Sequence, residues 1–386
     1  MPFGLSQVNE APGGHLSSGF WHSLWLGNIC PLIGRNATPQ QDVSRAWGLA
    51  LSHMGPRGLW GWKGLGCCLL SALLLSFSFS RGLQLLLLVK DAQGTRRHES
   101  TAAPALPGVD FGSLFSGSAL EPHCEPRQML LILVASAPGN ATPRRVIRST
   151  WAERPLSPAH PWQAVFLVGQ SLDKRVARQI RREQREFGDV LLGGYLDTYR
   201  NLTLKVLHGL KWATERCRPH FILKTDDDCF VNTDRLPAFL AQHWHVGLLL
   251  YAGSVFPREK RRVIRSPASK WYVSREDYSP EEYPPYASGI GYLLSLGAAR
   301  RVLWAAERVP PIPVEDAFVG ILAQRAGLRP TSSARFAQQN ARWHLCNYRF
   351  LMVIHHLNAS EQQGATRSMR EAQAVCSKRP QVTGWT

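Results

Sequence analysis

The sequence predicts an α/β fold, its sheet mostly parallel in the first half, set behind a single membrane-spanning segment and a stem. Three observations carry this. From Cys124 onward, short apolar runs alternate with stretches of helical periodicity. From Gly64 to Ser80 the chain is apolar and uncharged, and Leu83–Val89 continues the run after Arg81. Between that run and Cys124 the composition turns polar, then rich in Ala, Pro, Gly and Ser.

The elements follow in order. Residues 1–57 are Gly/Pro/Ser-rich with weak periodicity and read as poorly ordered. The core 64–80 is near the short limit for a span, with Trp60 and Trp62 suited to one interface and Arg81 to snorkelling into the other. Arg35, Arg45, Arg57 and Lys63 precede it, which predicts a cytosolic N-terminus. No small-residue cleavage site follows, which favours a signal anchor over a cleaved signal peptide. Met54 would make a more ordinary start than Met1 for such a tail. The expected divisions are a cytosolic tail over 1–63, the anchor over 64–89, a stem over 90–123 and the main domain over 124–386.

Within that domain MLLILVA (129–135), AVFLVG (164–169), DVLL (189–192), FILK (221–224), LLLYAGSV (248–255) and GIGYLLS (289–295) read as strands. PRRVIRSTW (143–151), KRVARQIRREQREFG (174–188), LTLKVLHGLKWATERC (202–217) and VEDAFVGILAQRAG (314–327) read as helices, two of them closed by glycine. No internal repeat is present.

The formal charge of +17 suits anionic partners, whether nucleic acid, phosphorylated substrate or membrane surface, and does not choose among them. Beyond the apolar run lie Cys124, Cys217, Cys229, Cys346 and Cys376, with no CxxC pair and no zinc spacing. Wide spacing fits disulfides in an oxidising compartment, and the odd number leaves one thiol free.

Two acidic features carry chemistry. In FILKTDDDCFVN, Asp226, Asp227 and Asp228 stand at the carboxyl end of a strand, where an open α/β sheet faces its ligand. In extended backbone Asp226 and Asp228 point to one side and Asp227 away. A divalent cation relieves their repulsion, and two oxygen ligands leave room for phosphate oxygens. The plain alternative is a solvated acidic turn; the flanking apolar residues favour the cation. Glu315 and Asp316 follow prolines at a helix start, where acids cap any helix, or where one could act as a general base.

RRVIRSTW (144–151), FLVG (166–169), FGDVLLGGYLDTYRNLTLK (187–205), KTDDDCFVN (224–232), KWYVSREDYSPEEYPPYASGIGYLLS (270–295), VEDAFVG (314–320) and Cys346 followed by FLMVIHH occur in this order. Together they resemble the Golgi β-1,3-glycosyltransferases, a family of β-1,3-galactosyltransferases and β-1,3-N-acetylglucosaminyltransferases, over Cys124–Cys376. The resemblance implies a GT-A glycosyltransferase fold with a Rossmann-like nucleotide-binding half and inversion at the anomeric carbon. It implies a UDP-sugar donor and a glycan acceptor on glycoprotein or glycolipid. Asp226, Asp228 and His355 would be metal ligands, the cation Mn2+, and Asp316 the general base. From its place alone, His355 reads equally as a core or capping histidine, with His356 beside it. Arg145 and Arg148 are donor-phosphate candidates or ordinary surface arginines; Asp227 joins them as a donor contact. Lys270, Trp271, Tyr286, Ser288 and Glu315 are candidates for the sugar or acceptor pocket, though Trp271 and Tyr286 equally suit a core. The family pattern suggests disulfides Cys124–Cys217 and Cys346–Cys376. The chain departs from the pattern at Cys229, where a small aliphatic residue is usual, and at Ala317, where valine is common.

Glu315-Asp316-Ala317 and Tyr286-Ala287-Ser288-Gly289 are closer to the galactosyl branch, with N-acetylglucosaminyl transfer the alternative. Asn140, Asn201 and Asn358 open sequons on the expected lumenal side. The expectation is therefore a single-pass type II Golgi membrane protein held by its N-terminal anchor. A catalytically silent sugar-binding protein is the competing class, and the intact acidic motifs oppose it. Nucleic-acid binding is opposed by the anchor and the sequons.

Overall fold

The computed structural model describes residues 108–377, apart from 115–119, 126–127, 154–159, 244–248 and 341–342. The expected tail and anchor (1–89) lie outside these residues, and no helix among the described ones is long and apolar enough to cross a membrane.

In chain order the strands are β1 (Leu130–Ala135), β2 (Trp162–Gln170), β3 (Val190–Leu196), β4 (Phe221–Asp226), β5 (Phe230–Val231), β6 (Tyr251–Val255), β7 (Ala287–Ser295), β8 (Thr331–Ser332), β9 (Phe336–Ala337) and β10 (Val353–Ile354). One seven-stranded sheet has the order β3-β2-β1-β4-β7-β6-β8; a small second sheet has the order β5-β10-β9. β1 to β4 are mutually parallel, as the strand–helix alternation requires. β7 then runs antiparallel to both β4 and β6, so the sheet is mixed.

β1 shows why its sequence is a continuous apolar run: all six residues are buried. Leu131 and Leu133 face one core with Val206, Leu210 and Phe318, from the helices Leu202–Trp212 and Glu315–Arg325. Leu130, Ile132 and Val134 face a second core with Ile147 and Met369, from the helices Ala141–Arg148 and Ala359–Val375. The period of two along the strand thus divides its side chains between two helical layers. The arginine-rich helix Lys174–Phe187 is capped by Asp173, whose side chain accepts from the Arg175 and Val176 N–H groups, and ends at Gly188 with φ 67°. It buries only Ile180, Glu183 and Gln184, which explains its composition.

One expected boundary shifts. Residues 108–114 fall within the expected stem, yet they belong to the folded body. Val109, Phe111 and Leu114 are buried in the first core, and the Val109 N–H donates to the Ala306 carbonyl at 3.0 Å. Gly108 packs so closely that a Cβ there would lie 2.3 Å from the Glu307 carbonyl carbon. Small residues and prolines hid this docking in the sequence.

Cys124–Cys217 and Cys346–Cys376 are disulfide-bonded, and Cys229 is a buried free thiol. The functional end of the sheet follows from strand direction. β4 ends there at Asp226, and β7 begins there because it runs the other way, pairing Gly291 with Thr225. β6, antiparallel to β7, also ends there at Val255, and β3 ends there at Leu196.

Candidate active site

The acid triplet straddles the end of β4. Asp226 is the last strand residue, paired in register with Ala135 of β1, and the chain turns at Asp227 and Asp228. The three side chains take different partners. Asp227 points away, accepting from Ser136 Oγ at 2.6 Å and Asn140 Nδ2 at 2.9 Å. Burial raises its pKa above the ordinary carboxylate value, and the charges of Asp226 and Asp228 add to the rise.

Asp228 Oδ2 lies 3.3 Å from His355 Nε2. His355 Nδ1 lies 3.2 Å from the Gln338 carbonyl, to which it donates, so that Nε2 faces Asp228: protonated, Nε2 donates to the carboxylate, and deprotonated, its lone pair is open to a cation. Burial opposes charge on both groups, but their mutual hydrogen bond outweighs it, lowering Asp228 and raising His355. A left-handed backbone at His356, φ 62°, directs the chain back so that the Leu357 N–H reaches the Asp228 carbonyl at 2.9 Å. Donor atoms of Asp228, Cys229 and His355 all lie within 4.8 Å of one another. Asp228 and His355, the histidine oriented from behind, offer oxygen and nitrogen ligands that suit a divalent cation, with the buried Cys229 thiol beside them.

Asp226 has another partner, Lys224, which the sequence reading passed over. Two residues apart in a strand, they share a face. The Lys224 side chain is fully buried, and its Nζ donates to Asp226 Oδ1 at 2.9 Å and the Gly289 carbonyl at 2.6 Å, with Glu315 Oε2 at 3.3 Å. Burial pulls its pKa down, but Asp226 and Glu315 outweigh that and hold the ammonium well above its ordinary value. Tyr292 donates to Glu315 Oε1 at 2.5 Å. Burial pushes the Glu315 carboxyl up to about 7, against the nearby Lys224 charge. Glu315 is therefore an internal member of the site, beneath its floor, rather than an open contact for sugar.

Whereas Glu315 is buried, Asp316, the next residue, is half-buried. Its Oδ2 accepts from the Gly289 N–H at 2.9 Å and its Oδ1 from its neighbour Ala317 at 2.8 Å. Burial raises its pKa despite these donors. A fixed carboxylate of raised basicity is what proton abstraction from a hydroxyl requires. Lys224 and Gly289 thus join the end of β4 to the start of this helix.

The remaining candidates separate. Arg148 is committed to Glu183 at 2.8 Å and Asp189 at 2.7 Å, with its guanidinium over the Phe166 and Phe187 rings, so it builds the helix 174–187 side and does not face the acid cluster. Arg145 is exposed. Arg144, from the same run, is fully buried and holds Ser136 Oγ and Glu183, supporting Asp227 from behind. Tyr286 and Ser288 are buried, and Tyr286 packs between Phe256 and Tyr283 in the core, not in an open pocket. Trp271 and Lys270 are exposed, with Lys270 Nζ 4.6 Å from the Trp271 ring and 5.3 Å from the ring of Tyr199. Tyr199, an aromatic between Thr198 and Arg200 just past β3, joins them, and that setting is its signal in the sequence. Partial burial, then the Asp316 charge, raises its phenol. Among the sequons, Asn140 donates to Asp227, Asn201 donates to the Leu196 carbonyl at 2.9 Å, and Asn358 is exposed at a helix start, where its Oδ1 accepts from Glu361.

The profile of a family described as Galactosyltransferase matches residues 142–334, from the helix Ala141–Arg148 to just past β8. Mouse beta-1,3-galactosyltransferase 4 is 35% identical over 297 residues, 68% of this chain and 79% of that protein. Human acetylgalactosaminyl-O-glycosyl-glycoprotein beta-1,3-N-acetylglucosaminyltransferase is 34% identical over 271 residues, 66% of this chain and 69% of that protein. Human beta-1,3-galactosyltransferase 5 is 32% identical over 230 residues, 58% of this chain and 73% of that protein. The matched span contains the β4 acid cluster, the Lys224–Glu315 bridge and Asp316, and the chain belongs to the galactosyltransferase family, as a hexosyltransferase.

Proposed function

We propose that the protein transfers galactose from UDP-galactose to the 3-hydroxyl of an acceptor sugar on a glycoprotein or glycolipid, with inversion, forming a β-1,3 linkage. The observation that carries the reading is the joining of two acidic motifs far apart in sequence, Asp226–Asp228 and Asp316, at one end of the sheet through Lys224 and Gly289. Asp316 takes the proton of the acceptor hydroxyl as its oxygen bonds to the anomeric carbon. The bond from that carbon to the UDP oxygen breaks, and the electron pair leaves with UDP. Attack from the face opposite UDP converts an α-linked donor into a β product. The Gly289 and Ala317 N–H groups hold the Asp316 oxygens in place for this step. Asp228 and His355, with Asp226 near them, would hold a divalent cation, Mn2+ in our reading, which supplies positive charge for the diphosphate. Lys224 keeps Asp226 and Glu315 in position. The two disulfides and the exposed Asn358 sequon support a lumenal setting in the Golgi, with the chain held at the membrane by residues 64–89.

The donor test is competition between UDP-galactose and UDP-N-acetylglucosamine over a panel of acceptor sugars. Preferential galactosyl transfer is expected. Preference for the N-acetylated donor would move the protein to the branch represented by its 34% identical human relative.

A further inference from the structure

A long excursion, residues 257–286, leaves the sheet at the end of β6 and returns at the start of β7, with no strand or α-helix of its own. Connections of this length inside a compact domain are uncommon and tend to serve function. Its ends place it at the functional edge, since β7 begins with Ala287, two residues before the Gly289 N–H that holds Asp316.

The excursion is built around one side chain. Arg265 Nη1 donates to the carbonyls of Val273 at 3.0 Å and Ser274 at 2.7 Å, and Nη2 to those of Tyr278 at 2.8 Å, Ser279 at 3.4 Å and Pro280 at 2.7 Å. No strand ladder satisfies these carbonyls, so the guanidinium substitutes for one. From below, Tyr278, Tyr283 and Tyr286 pack ring against ring down to Phe256. At the far tip, Lys270 meets Tyr199. In sheet order β2, β1 and β4 separate β3, which leads into Tyr199, from β7, which receives the excursion. The contact therefore reaches across the strand ends that carry the acid cluster. It leaves two large rings, Trp271 and Tyr199, each 45% exposed, flanking Lys270 at the functional edge. Exposed ring faces at this edge suit the C–H face of a pyranose.

We propose that Arg265 is a positioning residue for acceptor recognition: it fixes the excursion so that Trp271 and Tyr199 form a stacking platform for the terminal pyranose of the acceptor. This rests on the transferase reading above and adds to it the determinant of acceptor binding. The guanidinium fork is specific to this task. A lysine keeps the charge but offers donors from a single point and cannot span these carbonyls.

The test is steady-state kinetics on Arg265→Met and Arg265→Lys, with acceptor and donor varied separately, and UDP-sugar hydrolysis measured without acceptor. A stacking loss of the usual size raises acceptor KM by about tenfold. Both variants are expected to show this, with donor KM and hydrolysis within about twofold of wild type. Tyr199→Ala, which removes the platform from the opposite side, is expected to raise acceptor KM similarly and provides the check if Arg265→Met fails to fold. Unchanged acceptor KM in the folded variants overturns the proposal, as does restoration by lysine or an equal rise in donor and acceptor KM. A wild-type protein that transfers no sugar to any acceptor sinks the transferase reading itself, an outcome distinct from transfer with an unaltered acceptor KM.

Discussion

Asp316 and Glu315 show how adjacent residues of like chemistry acquire different roles. Glu315 is buried between Lys224 and Tyr292, whereas Asp316 is half-buried and held by backbone N–H groups. On the proposed mechanism, asparagine at position 316 keeps the size and loses the base. Asp316→Asn is expected to lower kcat by 10²–10⁴-fold while UDP affinity holds; transfer at the wild-type rate would remove the assignment. His208 offers a residue-scale test of stability. It is buried beside the Tyr195 hydroxyl, and burial lowers its pKa to about 4. Between about 6.5 and 4 the unfolded chain takes up a proton that the folded one refuses. Stability from this group is thus full above 6.5 and declines as pH falls, by up to about 3 kcal/mol. Denaturant melts of His208→Gln from pH 7 to 4 should show a shallower decline than wild type; an identical slope contradicts this. The acids were legible as residues because a triplet of like charge at a strand end is conspicuous. Lys224 was not, because a lysine in an apolar strand looks like its end until the fold brings Glu315 to it.

At the scale of elements, the strands and main helices were legible because both periods are strong: two along β1, and the helical spacing in 202–212. The antiparallel entry of β7 was not, since a buried run such as GIGYLLS reads the same in either direction. Nor was the docking of 108–114, whose apolar residues are too few to show a period. Phe111 is 9% exposed, packs in the first core and carries Lys211 over its ring. Phe111→Ala is expected to cost roughly 3 kcal/mol, read as a shift in denaturant midpoint with an unchanged slope. A shift below about 0.5 kcal/mol would return this segment to the stem. The excursion 257–286 was recognisable as a block but not as an architecture, because Arg265 satisfies carbonyls that no sequence pattern marks.

The whole molecule brings its functional groups together by topology. Asp226 and Asp228, Gly289, Asp316 and His355 come from four separate segments; β4 and β7 bring the first three residues to one end of the large sheet, and His355 follows β10 of the small one. Family membership was readable from ordered motifs across most of the chain, whereas donor and acceptor depend on a few side chains and a loop. The central claim is that Asp228 and His355, with Asp226, hold a cation that in turn holds UDP. Calorimetric titration of UDP into wild type and Asp228→Ala, each with Mn2+ and with chelator, tests it most directly. The account predicts that Mn2+ tightens UDP binding to wild type by about tenfold or more, at least ~1.4 kcal/mol, and that folded Asp228→Ala shows no such gain. Equal tightening in the variant would contradict it.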